Sequence, residues 1–118
     1  MSEPKILQLG KEMKYDIQTG KEITTNEYIN GKQIYLKRVD LGNLPNNSSK
    51  TVNPELSNNS QIQYFRCYAK HDTQGSVADV PSTLGQVLYT GLNKMISINT
   101  TTDRSEWHAY IDLYYTKS

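Results

Sequence analysis

Four carboxylates, Asp79, Asp103, Glu106 and Asp112, are the residues with which acid–base chemistry on a polymer would begin. Hydrolysis of a glycosidic bond needs two acids facing one groove, and these four are candidates by count only, with no paired-acid motif. His71 stands beside Asp72, while His108 lies far along the chain. A His–Asp pair or a metal centre would therefore need a convergence that the spacing does not dictate, and the plainer expectation is structural or solvent-facing imidazoles. Cys67, the one cysteine, sits within Tyr64-Phe65-Arg66-Cys67-Tyr68. Nothing next to it marks an activated thiolate, so it reads as a small buried apolar residue. The sequence has no Ser-His-Asp order, Gly-rich phosphate loop or HExxH. The expectation is a protein that is not an enzyme, with no cofactor and no metal.

What the sequence holds in quantity is the phenol ring, with nine Tyr against one Phe and one Trp. Rings beside polar amides suit the apolar faces of sugars, yet Tyr-rich strands also pack as sandwich core or as a subunit interface. An aromatic count does not separate these uses. Asp103-Arg104-Ser105 follows three Thr and precedes a β-like run. There Asp103 would cap a turn and Arg104 would pair locally, or the two would form the rim of a glycan or receptor site. The candidate ligand-binding residues are Tyr35, Asp103, Arg104, Trp107 and Tyr110.

The segments around these residues read as strands. Ile23 to Ile29 and Gln33 to Val39 are rich in β-branched and aromatic residues and are separated by Asn30-Gly31. An Asn-Gly pair between two such runs predicts a type I′ hairpin, because that turn needs positive φ at both positions. Gly42 to Ser60, with Pro45, Pro54 and many Asn and Ser, reads as an exposed connection. Gln61 to Lys70 carries apolar groups on both faces, which predicts a strand between two layers, covered by a second sheet or a partner subunit. Asp72 to Thr83 reads as turn-rich. Leu84 to Tyr89, Lys94 to Asn99 and Trp107 to Tyr115 read as three further strands. In the last, Trp107, Ala109, Ile111 and Leu113 point one way while His108, Tyr110, Asp112 and Tyr114 point the other. About six strands, with no helical period after Gly20, predict an all-β chain: an antiparallel β-sandwich, jelly-roll-like, over residues 22–118, behind an N-terminal arm over residues 1–21.

Composition bounds the partners. The length of 118 residues suits one domain with one modest core. Thirteen Lys and Arg against twelve Asp and Glu give a formal net charge of +1, no field to gather nucleic acid or an anionic membrane. The charged N-terminus is followed by only a short apolar patch, Ile6 to Leu9, so neither signal peptide nor membrane span is expected. The lone cysteine fits synthesis in a reducing cytoplasm.

Two clusters carry a family likeness: Tyr28-Ile29-Asn30-Gly31-Lys32-Gln33-Ile34-Tyr35-Leu36-Lys37, and Thr102-Asp103-Arg104-Ser105 leading to Ala109-Tyr110-Ile111-Asp112-Leu113-Tyr114-Tyr115-Thr116-Lys117. Together they resemble the C-terminal β-rich domain of many phage tail, fibre and baseplate-associated proteins. In that family the pattern runs W-I-D-G-K-P-I-Y-R-K near the start and D-R-S, then an aromatic strand ending Y-T-K, at the end. Tyr28 stands for Trp, Asn30 for Asp, Gln33 for Pro and Leu36 for Arg, changes that leave the hairpin signal intact. The resemblance implies a virion structural subunit of head-fibre, tail-fibre or decoration type, contributing to attachment or host-surface recognition. It also implies a homotrimer, docking to other virion proteins through residues 1–21, and a host-surface glycan as ligand. A stand-alone carbohydrate- or receptor-binding module is the alternative.

Overall fold

Asn30 and Gly31 take φ of 51° and 78°, and Ile29 and Lys32 on either side of them are directly paired. This is the two-residue hairpin that the Asn-Gly pair predicts. A methyl group on Gly31 would meet no atom within 4 Å, so the demand for glycine comes from the backbone angle alone. Gly31→Val is therefore expected to lower stability by about 1 kcal/mol, read as a drop in the urea midpoint with an unchanged slope.

The computed structural model describes residues 16–118. Among them are eight strands and no helix: β1 Glu22–Ile29, β2 Lys32–Asn43, β3 Ser49–Val52, β4 Ser60–His71, β5 Val77–Val80, β6 Gln86–Thr90, β7 Met95–Asn99 and β8 Trp107–Lys117. They form a five-stranded sheet in the order β1-β2-β8-β4-β5 and a three-stranded sheet in the order β3-β7-β6. All neighbours are antiparallel. Pairing of β2 with β8 and of β3 with β7 nests the chain as a jelly roll does, while the local hairpins β4–β5 and β6–β7 close the interior of the roll.

One apolar face of each sheet is turned to the other. Val39 and Leu41 of β2, Cys67 and Ala69 of β4, and Ala109, Ile111 and Leu113 of β8 are buried in one cluster with Ile96 and Ile98 of β7. β8 is central because it alternates strictly and carries β-branched and aromatic residues. Tyr115 near its end is fully buried, and its hydroxyl donates to Glu22 Oε1 at 2.6 Å. That bond reaches across β2 to β1 and satisfies the one polar atom of a core ring. Burial together with this carboxylate pushes the Tyr115 phenol far above its ordinary range.

The antiparallel sandwich stands as predicted, but two expectations within it are corrected. The first concerns strand number, since two short strands lie inside stretches that read as loops. β3 holds Ser49 to Val52 within the stretch expected to be an exposed connection, where Leu44 and Pro54 are also buried. β5 holds Val77 to Val80 within the turn-rich segment. Both are four-residue pieces paired along one side only, so pairing with a longer strand outweighs a weak local preference. The second concerns β4, which has the other sheet on its Cys67 face only. Its other face carries Tyr64, Arg66 and Tyr68, with Tyr64 43% exposed. Tyrosine alternates like core residues but tolerates water at its hydroxyl, so the alternation does not require a second sheet of this chain there, and of the two covers expected a partner subunit is the one that this single chain does not bear on. Where the expected arm meets the sandwich, just before β1, Gly20 N donates to Arg38 O at 2.7 Å. The rest of that arm, residues 1–15, lies outside the described residues.

Candidate functional site

β8 pairs with β4 along its whole length, whereas β5 reaches only Cys67 to Lys70. From Gln61 to Phe65, β4 thus has a partner strand on one side alone. Beside this stretch, between it and the β6–β7 turn, lies a groove of about 740 Å³. Its walls bring together the amides of Asn58, Asn59, Gln61 and Gln63, the rings of Tyr64, Phe65 and Tyr89, and Lys94. The β4–β8 register slips between Ile62 and Tyr64, a bulge that re-aims side chains where Gln63 and Tyr64 both reach the groove.

The amides are held but not exhausted. Asn59 Nδ2 donates to Ser118 O at 3.2 Å, and Gln63 Nε2 to Thr116 Oγ1 at 3.1 Å. Each amide offers two N–H donors and a carbonyl acceptor, which leaves hydrogen-bonding capacity facing the groove. Lys94 has φ of 58°, with its N–H on Thr90 O at 2.7 Å, and its ammonium crosses to Asn58 O at 2.9 Å. Burial raises the Tyr89 phenol, so at neutral pH it serves as an uncharged donor and acceptor. Rings flanked by amides form a surface on which a sugar can lay its C–H face while its hydroxyls find partners.

The outer face of the five-stranded sheet is a second aromatic surface. Tyr64 stacks on Tyr114 with centroids 4.4 Å apart, and Tyr68 on Tyr110 at 5.8 Å. Arg38 holds Asp112 by two hydrogen bonds, Nε at 2.7 Å and Nη2 at 2.9 Å, and lies over the Tyr68 ring. Asp112 is only 5% exposed. The fork matches the carboxylate geometry, and its bond to Asp112 holds the Arg38 guanidinium above its usual range. These cross-strand pairs lock β2, β8 and β4 together.

The five residues expected to bind ligand are dispersed. Tyr35 lies opposite Tyr115, with the Lys117 ammonium over its ring. Trp107, at the far end of β8, meets His71 edge-on and packs against the core. Eight residues of strand put roughly 26 Å between these ends. Asp103 accepts from both the N–H and the hydroxyl of Ser105, at 3.0 and 2.7 Å, which lowers its carboxyl from the ordinary value. Arg104 donates to Thr83 O at 3.1 Å. Asp103 and Arg104 thus have the turn-capping and local-pairing contacts named as one of their two readings. Tyr110 is on the outer face, and none of the five lines the groove. Of the groove residues, sequence reading had only the general wealth of Tyr and Asn, because the bulge and the short reach of β5 that open the groove leave no local signal.

The chemistry-bearing groups are likewise separate. His71 Nε2 faces Glu106 at 3.0 Å while its Nδ1 receives the Gln74 N–H at 3.1 Å. His108 Nε2 is 2.5 Å from Asp40 Oδ1. For Asp40, the Gly42 N–H and His108 outweigh the upward pull of burial and lower its carboxyl. Both imidazoles border a hollow of about 260 Å³ with Lys70, Asp72 and Tyr110. Asp79 is paired with Arg66, Glu106 with His71 and Asp112 with Arg38, and no carboxylate side chain lines the large groove.

Burial, with the charges of Asp112 and Asp79 adding to it, pushes the Cys67 thiol up to about 12. Its reaction with an aromatic disulfide at pH 8 is expected to be roughly a thousandfold slower in the folded protein than in urea, since only the thiolate attacks. Rapid labelling of the native form would contradict a sealed core.

Comparison of the chain with protein-family models, with curated proteins and with solved structures finds no match.

Proposed function

We propose that this chain is the contact domain of a phage virion appendage, of head-fibre, tail-fibre or decoration type, and that it recognises a host-surface polysaccharide in the amide- and tyrosine-lined groove. The observation that carries this reading is the groove itself: four amide side chains and three aromatic rings on one wall system, with no carboxylate side chain among them. Such a surface grips hydroxyls and sugar faces and lacks the acid pair that cleavage of a glycosidic bond requires. The carboxylates weighed for catalysis are each spent on a separate partner, which favours contact over bond cleavage.

The virion part of the proposal draws on the two motifs that resemble phage appendage domains. They fall on the β1–β2 hairpin and on β8 with the turn that precedes it, and β2 and β8 are hydrogen-bonded neighbours, with Tyr35 opposite Tyr115 and Lys37 opposite Leu113. The motif residues thus specify the centre of one sheet, a framework role that leaves the binding residues to vary around it. The homotrimer and the docking of residues 1–21 to other virion proteins belong to the same proposal. Sedimentation of the full chain tests the first: a trimer is expected, and a monomer at every concentration counts against a fibre. A stand-alone carbohydrate-binding module would use the same groove, and co-purification with particles separates the two.

The experiment for the binding function is retention of the full chain on immobilised envelope polysaccharides from candidate host bacteria, with release of reducing ends followed in parallel. Retention without new reducing ends is expected. Absence of retention on every polymer, or steady release of reducing ends, would overturn it.

A further inference from the structure

We infer that Asn30 is a site of spontaneous backbone modification, at which the Gly31 nitrogen displaces the Asn30 side-chain amide as ammonia and an aspartyl or isoaspartyl residue is left in the turn. The inference is independent of the proposed function.

The sequence holds a single Asn-Gly pair, and it falls at the exposed tip of the β1–β2 hairpin. Every other Asn is followed by a residue with a side chain, which crowds the nitrogen that must attack. At Gly31 that nitrogen is open. A Cβ built there would have no atom within 4 Å, and among the described residues no hydrogen bond holds the Gly31 N–H or the Asn30 amide. The ladder closes on either side of them, where Ile29 pairs with Lys32.

The backbone angles carry the inference further. Ring closure joins Gly31 N to Asn30 Cγ, which puts Cβ and that nitrogen on the same side of the Cα–C bond and so sets ψ of Asn30 near roughly −120°, the value at the first central residue of a type II′ turn. Such a residue has φ of about +60°, and Asn30 already has φ of 51°. Types I′ and II′ share that φ and differ by a flip of the peptide between the two central residues. Both serve as two-residue hairpin turns, and glycine at the second position accepts either orientation. Turning over one peptide unit therefore reaches the reactive geometry with both strands still paired.

In the reaction the Gly31 N–H gives its proton to solvent base, the nitrogen attacks Asn30 Cγ, and the Cγ–Nδ2 bond breaks as ammonia leaves with a proton from water. Water then opens the five-membered imide at either carbonyl. Opening at Cγ gives the aspartyl product, which keeps the turn because Asp-Gly suits type I′ as Asn-Gly does, and which adds a negative charge to the tip. Opening at the backbone carbonyl gives the isoaspartyl product. Its extra backbone methylene lengthens a two-residue loop and disturbs the register of Ile29 with Lys32.

Peptide mapping of the folded full chain, held at pH 8 for weeks, tests this. Trypsin cuts after Lys21 and Lys32, and the peptide 22–32 is expected to gain about one dalton, the exchange of an amide for an acid. Fragment ions are expected to place the gain at Asn30, and isoaspartyl methyltransferase to label part of it. Gly31→Ala is expected to suppress the gain, since its methyl crowds the attacking nitrogen. Should that variant fail to fold, Asn30→Gln, which would need a six-membered ring, takes its place. No gain in the folded chain, a gain only after unfolding in urea, or a gain first at Asn26 overturns the inference. A gain undiminished in the variant, or one without any isoaspartyl product, overturns it as well, because the side chain would then be hydrolysed directly.

Discussion

Arg38→Ala is expected to destabilise the protein by about 3 kcal/mol, a loss typical of leaving a buried charge without its partner. Asp112 is 5% exposed, is flanked on β4 and β8 by tyrosines, and receives both arms of the Arg38 fork. With the guanidinium gone, the carboxylate keeps its burial and loses the donors that compensate it. Arg38 itself retains some contact with water, its side chain being 26% exposed, which keeps the expected figure at the lower end of the range for buried pairs. Urea unfolding followed by Trp107 fluorescence measures the effect. Replacing both partners together, Arg38→Met with Asp112→Leu, is expected to recover most of the loss, because no uncompensated charge then remains. A single-variant loss below about 1 kcal/mol would mean that the pair behaves as a solvent-screened surface bridge.

Tyr64→Ala combined with Gln61→Ala is expected to weaken polysaccharide binding by about a hundredfold or more, equivalent to about 2.7 kcal/mol. The Tyr64 ring is the most exposed aromatic of the groove wall, and Gln61 is an exposed amide on the same stretch of β4. One removes the platform for a sugar face, the other a hydrogen-bonding arm. Stability is expected to fall by only about 1 kcal/mol, the worth of the Tyr64–Tyr114 stack. Tyr110→Ala serves as the contrast: it breaks the stack with Tyr68 on the outer face and is expected to leave affinity unchanged. Affinity measurements on immobilised polymer decide between them, and equal losses in the two variants would place the binding surface on the outer face.

The parts of the fold that sequence made legible are those fixed by local physics. Asn30-Gly31 dictates its own backbone angles, and the alternation of Trp107 to Tyr115 survives as the central strand β8. β3 and β5 were illegible because four residues beside Asn, Ser, Gly and Pro carry little preference until a neighbouring strand, β7 or β4, pairs with them. Tyrosine blurred the outer face: Tyr64, Tyr68, Tyr110 and Tyr114 alternate as core residues do, yet stack in cross-strand pairs at the surface. The candidate site was legible as a composition, Tyr with Asn and Gln, but not as a place. Its position depends on where β5 stops, on a register slip between Ile62 and Tyr64, and on a turn that carries Lys94 across to Asn58, three facts of tertiary structure.

The most direct measurement is the map of backbone amide shifts when an isotope-labelled full chain is titrated with a fragmented host polysaccharide. Changes are expected to concentrate at Asn59, Gln61, Gln63, Tyr89 and Lys94, with the Tyr68–Tyr110 face and the Asp103–Trp107 loop unmoved. Shifts confined to those unmoved regions, or steady conversion of the polymer to shorter products during the titration, would contradict a protein whose groove holds a sugar chain and does not cut it.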